Sequence, residues 1–135
     1  NLKKGAKNLL TYLQKEGVPI ALATSSVESR ARMILDSNGI LSLFDHLVFA
    51  KDVKRSKPYP DIFLKACSDL NVLPENCLVL EDSEAGIEAA SRAGIPVICI
   101  PDLKIPAQSF LNKTEQVFQD LDAVRDYLES KKEVF

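Results

Sequence analysis

Four short apolar runs, each followed by a segment of helical periodicity, constrain this chain more than any other feature. Pro19-Ile20-Ala21-Leu22-Ala23 leads into a helical period over Val27 to Ser37, carried by Ala31, Ile34 and Leu35 and closed by Asn38-Gly39. His46-Leu47-Val48-Phe49-Ala50 leads through a lysine-rich loop into a helix predicted over Asp61 to Leu70 and entered through Pro60. Cys77-Leu78-Val79-Leu80 precedes a helix over Ser83 to Ala93, stopped by Gly94. The fourth run, Pro96-Val97-Ile98-Cys99-Ile100, is followed by a looser stretch with a short helix over Ala107 to Leu111. Gln116-Val117-Phe118 reads as a short edge strand. Helices over Ala6 to Lys15 and Leu121 to Lys131 flank the series. Strand–helix alternation of this kind predicts an α/β fold: a Rossmann-like parallel sheet with helices on both faces. The continuous apolar run at Pro19 to Ala23 further predicts a strand buried on both sides.

The 135 residues suffice for a single domain spanning 1–135. Seventeen basic against 19 acidic side chains leave a formal charge of −2, which argues against a nucleic-acid partner held by a broad basic surface. No apolar run approaches the ~20 residues of a membrane span, and the opening Asn1-Leu2-Lys3-Lys4-Gly5 is not followed by the apolar core of a signal peptide. Cys67, Cys77 and Cys99 are odd in number and separated in sequence, so they read as reduced thiols rather than a disulfide framework. A cytoplasmic location is the expectation.

In open parallel sheets, ligands bind at the carboxyl ends of the strands. Thr24-Ser25-Ser26 follows the first run, Lys51-Asp52-Val53-Lys54-Arg55-Ser56-Lys57-Pro58 the second, and Glu81-Asp82-Ser83 the third. One rim would therefore hold hydroxyls with free amides, a cation and two adjacent carboxylates, a set suited to phosphate and a hard metal ion. Each part also has a plainer use. Thr24, Asp82 and Ser83 are good helix caps, and a loop lysine is ordinarily solvated. Lys57 differs from its neighbours in preceding Pro58-Tyr59-Pro60, which stiffens the backbone beside it. His46, the single histidine, begins a strand and reads as structural. The cysteines lack zinc spacing, and the glycines form no phosphate-cradling cluster.

Three segments together resemble the haloacid dehalogenase-like superfamily, in its β-phosphoglucomutase and sugar-phosphatase-like branch. They are Ala21-Leu22-Ala23-Thr24-Ser25-Ser26, Ser56-Lys57-Pro58-Tyr59-Pro60-Asp61-Ile62-Phe63, and Leu78-Val79-Leu80-Glu81-Asp82-Ser83-Glu84-Ala85-Gly86-Ile87, with Ala93-Gly94-Ile95-Pro96 behind. They resemble the family's second, third and fourth motifs in order. The resemblance implies that Thr24, helped by the Ser25 amide, binds a transferring phosphoryl group, that Lys57 bridges this group and an attacking carboxylate, and that Glu81 and Asp82 hold Mg²⁺. It also implies an aspartate nucleophile and an aspartyl-phosphate intermediate.

The first motif, an Asp-x-Asp after an amino-terminal strand, has no counterpart here. Asp120-Leu121-Asp122 has the spacing but opens the last helix without an apolar strand before it. The chain thus resembles the carboxyl-terminal part of a longer enzyme, an incomplete core without the nucleophile strand and helical cap. In the family that strand lies between those ending at Thr24 and Glu81, so its loss should leave a gap or force the sheet to rearrange. The reaction implied is Mg²⁺-dependent hydrolysis of a small phosphorylated metabolite. A phosphomutase reaction and a catalytically inactive, phosphate-binding fragment are the alternatives.

Overall fold

The computed structural model describes residues 2–132. Its elements are α1 (Ala6–Lys15), β1 (Ala21–Thr24), α2 (Glu28–Ser37), β2 (His46–Phe49), α3 (Asp61–Leu70), β3 (Val79–Glu81), α4 (Glu84–Ala93), β4 (Val97–Cys99), α5 (Gln108–Leu111), β5 (Gln116–Val117) and α6 (Leu121–Lys132). Local chemistry sets several boundaries. Pro60 stands at the entry of α3, and Asn71 ends it in the left-handed conformation at φ 59°. The Ser83 hydroxyl caps α4 by accepting from the Gly86 amide at 3.1 Å, and Gly94 ends the helix at φ 74°. Among the described residues no helix is long and apolar enough to cross a membrane.

Every strand pair is parallel. The side chains of β4 alternate between two cores, as a strand covered on both faces requires. Val97 and Cys99 join Ile62, Phe63 and Ile87 beneath α3 and α4. Ile98 and, just beyond the strand, Ile100 meet Leu9 of α1 and Val124 of α6. Ile87 is 0% exposed and Ile98 1%; burial of such a side chain contributes about 1.5–3 kcal/mol. Helices therefore cover both faces, as the alternation predicts.

The sheet itself is in two pieces, β1-β2 and β3-β4-β5. Among the described residues no strand pairs with the edge of β1 that faces β3. This corrects the expectation of a doubly buried strand at Pro19 to Ala23. β1 starts later, at Ala21, and all four of its residues are only half-buried. Pro19 has no N–H for a ladder, and a strand paired on one edge has less cover. The third strand also begins later than the apolar run, at Val79, whose amide donates to the Pro96 carbonyl. The gap falls where the family resemblance places a missing strand, and the existing strands have not closed it.

Candidate active site

Three loops meet at the carboxyl ends of β1, β2 and β3. Thr24 ends β1, and its Oγ1 accepts from the Ser26 amide at 3.1 Å. The N-cap of α2 is Val27, so the Thr24 hydroxyl tightens the strand-to-helix turn and is not the helix cap. Ser25 lies between them in the exposed turn.

Lys57 is not a solvated surface lysine. Its Nζ donates to Glu81 Oε2 at 2.9 Å and to the Ala23 carbonyl at 3.5 Å. It also lies 5.0 Å from the centre of the Phe63 ring. The two partners are 13% and 10% exposed in their side chains, so the ion pair is poorly screened. Ala23 belongs to β1 and Glu81 to β3. One ammonium thus spans the gap between the two sheet pieces. The loop that carries it is fixed at Arg55, whose backbone N–H and guanidinium both donate to the Asp61 carboxylate at the start of α3. By contrast, Lys51 pairs with Glu28 on α2, away from this group.

Glu81 is engaged through both oxygens. Oε1 accepts from the Asp82 amide at 3.1 Å, the Ser83 amide at 3.4 Å and the Ser83 hydroxyl at 3.2 Å. Burial raises its pKa, but the charge and hydrogen bond of Lys57, with the Asp82 contacts, outweigh burial and hold it below 4.5. Its side chain lies directly over the first turn of α4. A Cβ on Gly86 would overlap Glu81 Cδ and Cγ, so only glycine leaves room. Asp82 behaves oppositely. Burial, then its hydrogen bond and proximity to Glu81, push its pKa above 3.8 despite Lys3. Its carboxylate lies 3.7 Å from Lys3 Nζ, which also approaches Asp102 at 3.9 Å. Asp82 lines an open cleft of ≈ 360 Å³ with Ser83, Glu84, Asp102 and Lys104.

The residue types fit a divalent cation in part. Glu81, Asp82 and Asp102 set three carboxylates against the ammonium groups of Lys3 and Lys57, leaving an excess of one negative charge. Burial first, and then the neighbouring Glu81, raise the pKa of Asp82, with Lys3 opposing them only in part. Hard oxygen donors with surplus charge suit Mg²⁺. Among the described residues, however, no three metal-ligating side chains converge, so the chain offers a partial donor set that waters and a phosphate would complete.

Sequence reasoning placed Thr24, Ser25, Lys57, Glu81 and Asp82 on one rim, and the structure puts them there. It missed Lys3, which no local pattern marks, and the role of Gly86. A glycine inside a helix costs about 1 kcal/mol relative to alanine and so was itself a signal that something packs against it. His46 is exposed at the start of β2, on the opposite end of the strand from the site. Asp120, which the sequence places at the opening of the last helix, caps α6 by accepting from the Ala123 amide at 2.9 Å.

The sequence profile described as "Haloacid dehalogenase-like hydrolase" matches residues 1–100. The chain is similar to validoxylamine A 7′-phosphate phosphatase of Streptomyces hygroscopicus subsp. limoneus, at 40% identity over 121 residues, covering 90% of this chain and 56% of that protein. It is 40% identical over 95 residues to the β-phosphoglucomutase of Bacillus subtilis, covering 70% of this chain and 41% of that one. A crystal structure of β-phosphoglucomutase from Clostridium difficile superposes with a TM-score of 0.81 at 29% identity, over 96% of this chain and 56% of that chain. The chain thus spans about half the length of the curated relatives it matches. The profile match, the relatives and the shared architecture agree, and the chain belongs to the haloacid dehalogenase-like hydrolase family.

Proposed function

We propose that this chain is the carboxyl-terminal part of a Mg²⁺-dependent phosphatase that hydrolyses a small phosphorylated metabolite through an aspartyl-phosphate. The nucleophilic aspartate comes from a strand outside these residues, seated in the gap between β1 and β3. The observation that carries this reading is the Lys57 ammonium, which spans that gap from the Ala23 carbonyl to Glu81. An aspartate entering between β1 and β3 would meet a cation already positioned there.

In this reading the Thr24 hydroxyl and the Ser25 amide hold the phosphoryl oxygens beside the positive end of α2. Lys57 offsets the mutual repulsion of phosphoryl group and attacking carboxylate. Glu81 aims Lys57 and, with Asp82, supplies the carboxylates for Mg²⁺. Asp82 faces the cleft, whereas Glu81 is held by its loop and by Lys57. When bound, the ion supplies charge neutralisation at the phosphoryl oxygens.

Similarity to proteins named β-phosphoglucomutase supports a second reading, in which a sugar hydroxyl rather than water receives the phosphoryl group. Incubating the whole protein with a panel of sugar phosphates and nucleotides separates the two. Release of inorganic phosphate, abolished by a chelator and strongly reduced by Asp82→Asn, is the result expected of the phosphatase. Isomerised sugar phosphate without net release would favour the mutase. Neither product in the presence of Mg²⁺ would refute both.

A further inference from the structure

We propose that Cys67 and Cys77 form a reversible disulfide by exchange with a low-molecular-weight disulfide, making this pair a redox modification site. The two are ten residues apart, and the sequence alone reads them as separate thiols. The fold brings them together. Asn71 ends α3 with a left-handed turn, the Val72 amide donates to the Cys67 carbonyl, and a 3₁₀ turn at Pro74–Asn76 returns the chain toward β3. The two Sγ atoms end 3.1 Å apart. A disulfide needs about 2.0 Å, so small side-chain rotations close the remaining distance.

The surroundings assign an order to the exchange. Cys77 is half-buried, whereas Cys67 is buried and only 5% exposed. Burial, with the hydrogen bond to Cys77, pushes the Cys67 thiol up to about 12, so it is the poorer first nucleophile. The Cys77 thiolate attacks one sulfur of the small disulfide, forming a mixed disulfide and releasing one small thiolate. Cys67 then gives up its proton and attacks Cys77 Sγ, expelling the second small thiolate. The protein dithiol is oxidised and the small disulfide is reduced to two thiols, with both protons passing to them. The new bond ties α3, which follows the Lys57 loop, to the approach of β3, which ends in Glu81. Cys99 is 0% exposed and serves as the internal control.

The test is to incubate the folded chain with oxidised glutathione, then count thiols, measure intact mass and map cross-linked peptides. Two of the three free thiols should disappear, with loss of the mass of two hydrogen atoms and a Cys67–Cys77 peptide, all reversed by dithiothreitol. Cys67→Ala should stop the reaction at a stable glutathione adduct on Cys77. Cys77→Ser should leave Cys67 and Cys99 unmodified. Three surviving thiols, a lasting Cys77 adduct in the unsubstituted chain, or a bond to Cys99 would overturn the proposal. So would a Cys67–Cys77 bond that forms no faster in the folded chain than in urea.

Discussion

Replacing Lys57 by methionine keeps a long flexible side chain against Phe63 and removes the charge that faces Glu81. At the 2.9 Å separation an effective dielectric of about 20 gives a direct attraction of about 6 kcal/mol. Part of that is offset because the lysine is dehydrated in the folded chain. Removing one member of a buried pair costs about 3–5 kcal/mol, most of it from the charge left behind. Glu81 is not left bare, since the amides of Asp82 and Ser83 and the Ser83 hydroxyl still hold Oε1. The lower end applies, and Lys57→Met should destabilise the chain by about 3 kcal/mol near pH 7. The pH dependence identifies the cause. Glu81 has its pKa held below 4.5 in the native chain, so it contributes stability above its unfolded pKa and loses it as pH falls through the lower folded value. Without Lys57, burial is opposed only by the Asp82 contacts, so the folded pKa rises from its native position. The variant then gains stability relative to the native chain on acidification, and the two curves converge. Urea unfolding followed by circular dichroism across this range is the assay. A loss under about 0.5 kcal/mol at neutral pH, or one that is unchanged in acid, would refute the reasoning.

Gly86→Ala should destabilise by about 1–3 kcal/mol although alanine is the better helix former, because the new Cβ displaces Glu81 from the first turn of α4; an unchanged or raised urea midpoint would contradict this. Asp82→Asn in the whole protein should lower turnover by about 10²–10³ and raise the Mg²⁺ concentration needed for half-maximal rate; unchanged dependence on Mg²⁺ would remove Asp82 from the metal site. The chain of 135 residues by itself should show no steady hydrolysis of an aryl phosphate, since among the described residues no aspartate stands in the gap between β1 and β3. Chelator-sensitive turnover by the purified chain would count against an external nucleophile.

The helices were legible because their ends carry chemistry. α1 spans Ala6–Lys15 and α3 Asp61–Leu70, where the periodicity and, for α3, Pro60 place them. The strands were legible as elements but not in register. An apolar run such as Pro19 to Ala23 does not reveal which residues find a ladder partner, and β1 settles on Ala21–Thr24 opposite His46–Phe49. The rim residues could be found because strand ends are fixed by topology, and the family resemblance sharpened Lys57 from a loop cation to a site residue. The Lys57–Glu81 contact joins loops 24 residues apart and has no local signature. The same holds for Lys3 beside Asp82 and for the two sulfurs that the α3–β3 reversal brings together.

Lys57 carries the central claim, and its neighbour Lys54 provides the comparison. Lys54 lies exposed in the same loop. Turnover of the whole protein should be measured for Lys57→Ala and Lys54→Ala side by side, with folding checked for both. Loss of a positioned electrostatic partner predicts a fall of about 10²–10³ for Lys57→Ala, with Lys54→Ala near the unsubstituted rate. Two folded variants with equal rates would contradict a phosphoryl-transfer site built around the lysine that spans β1 and β3.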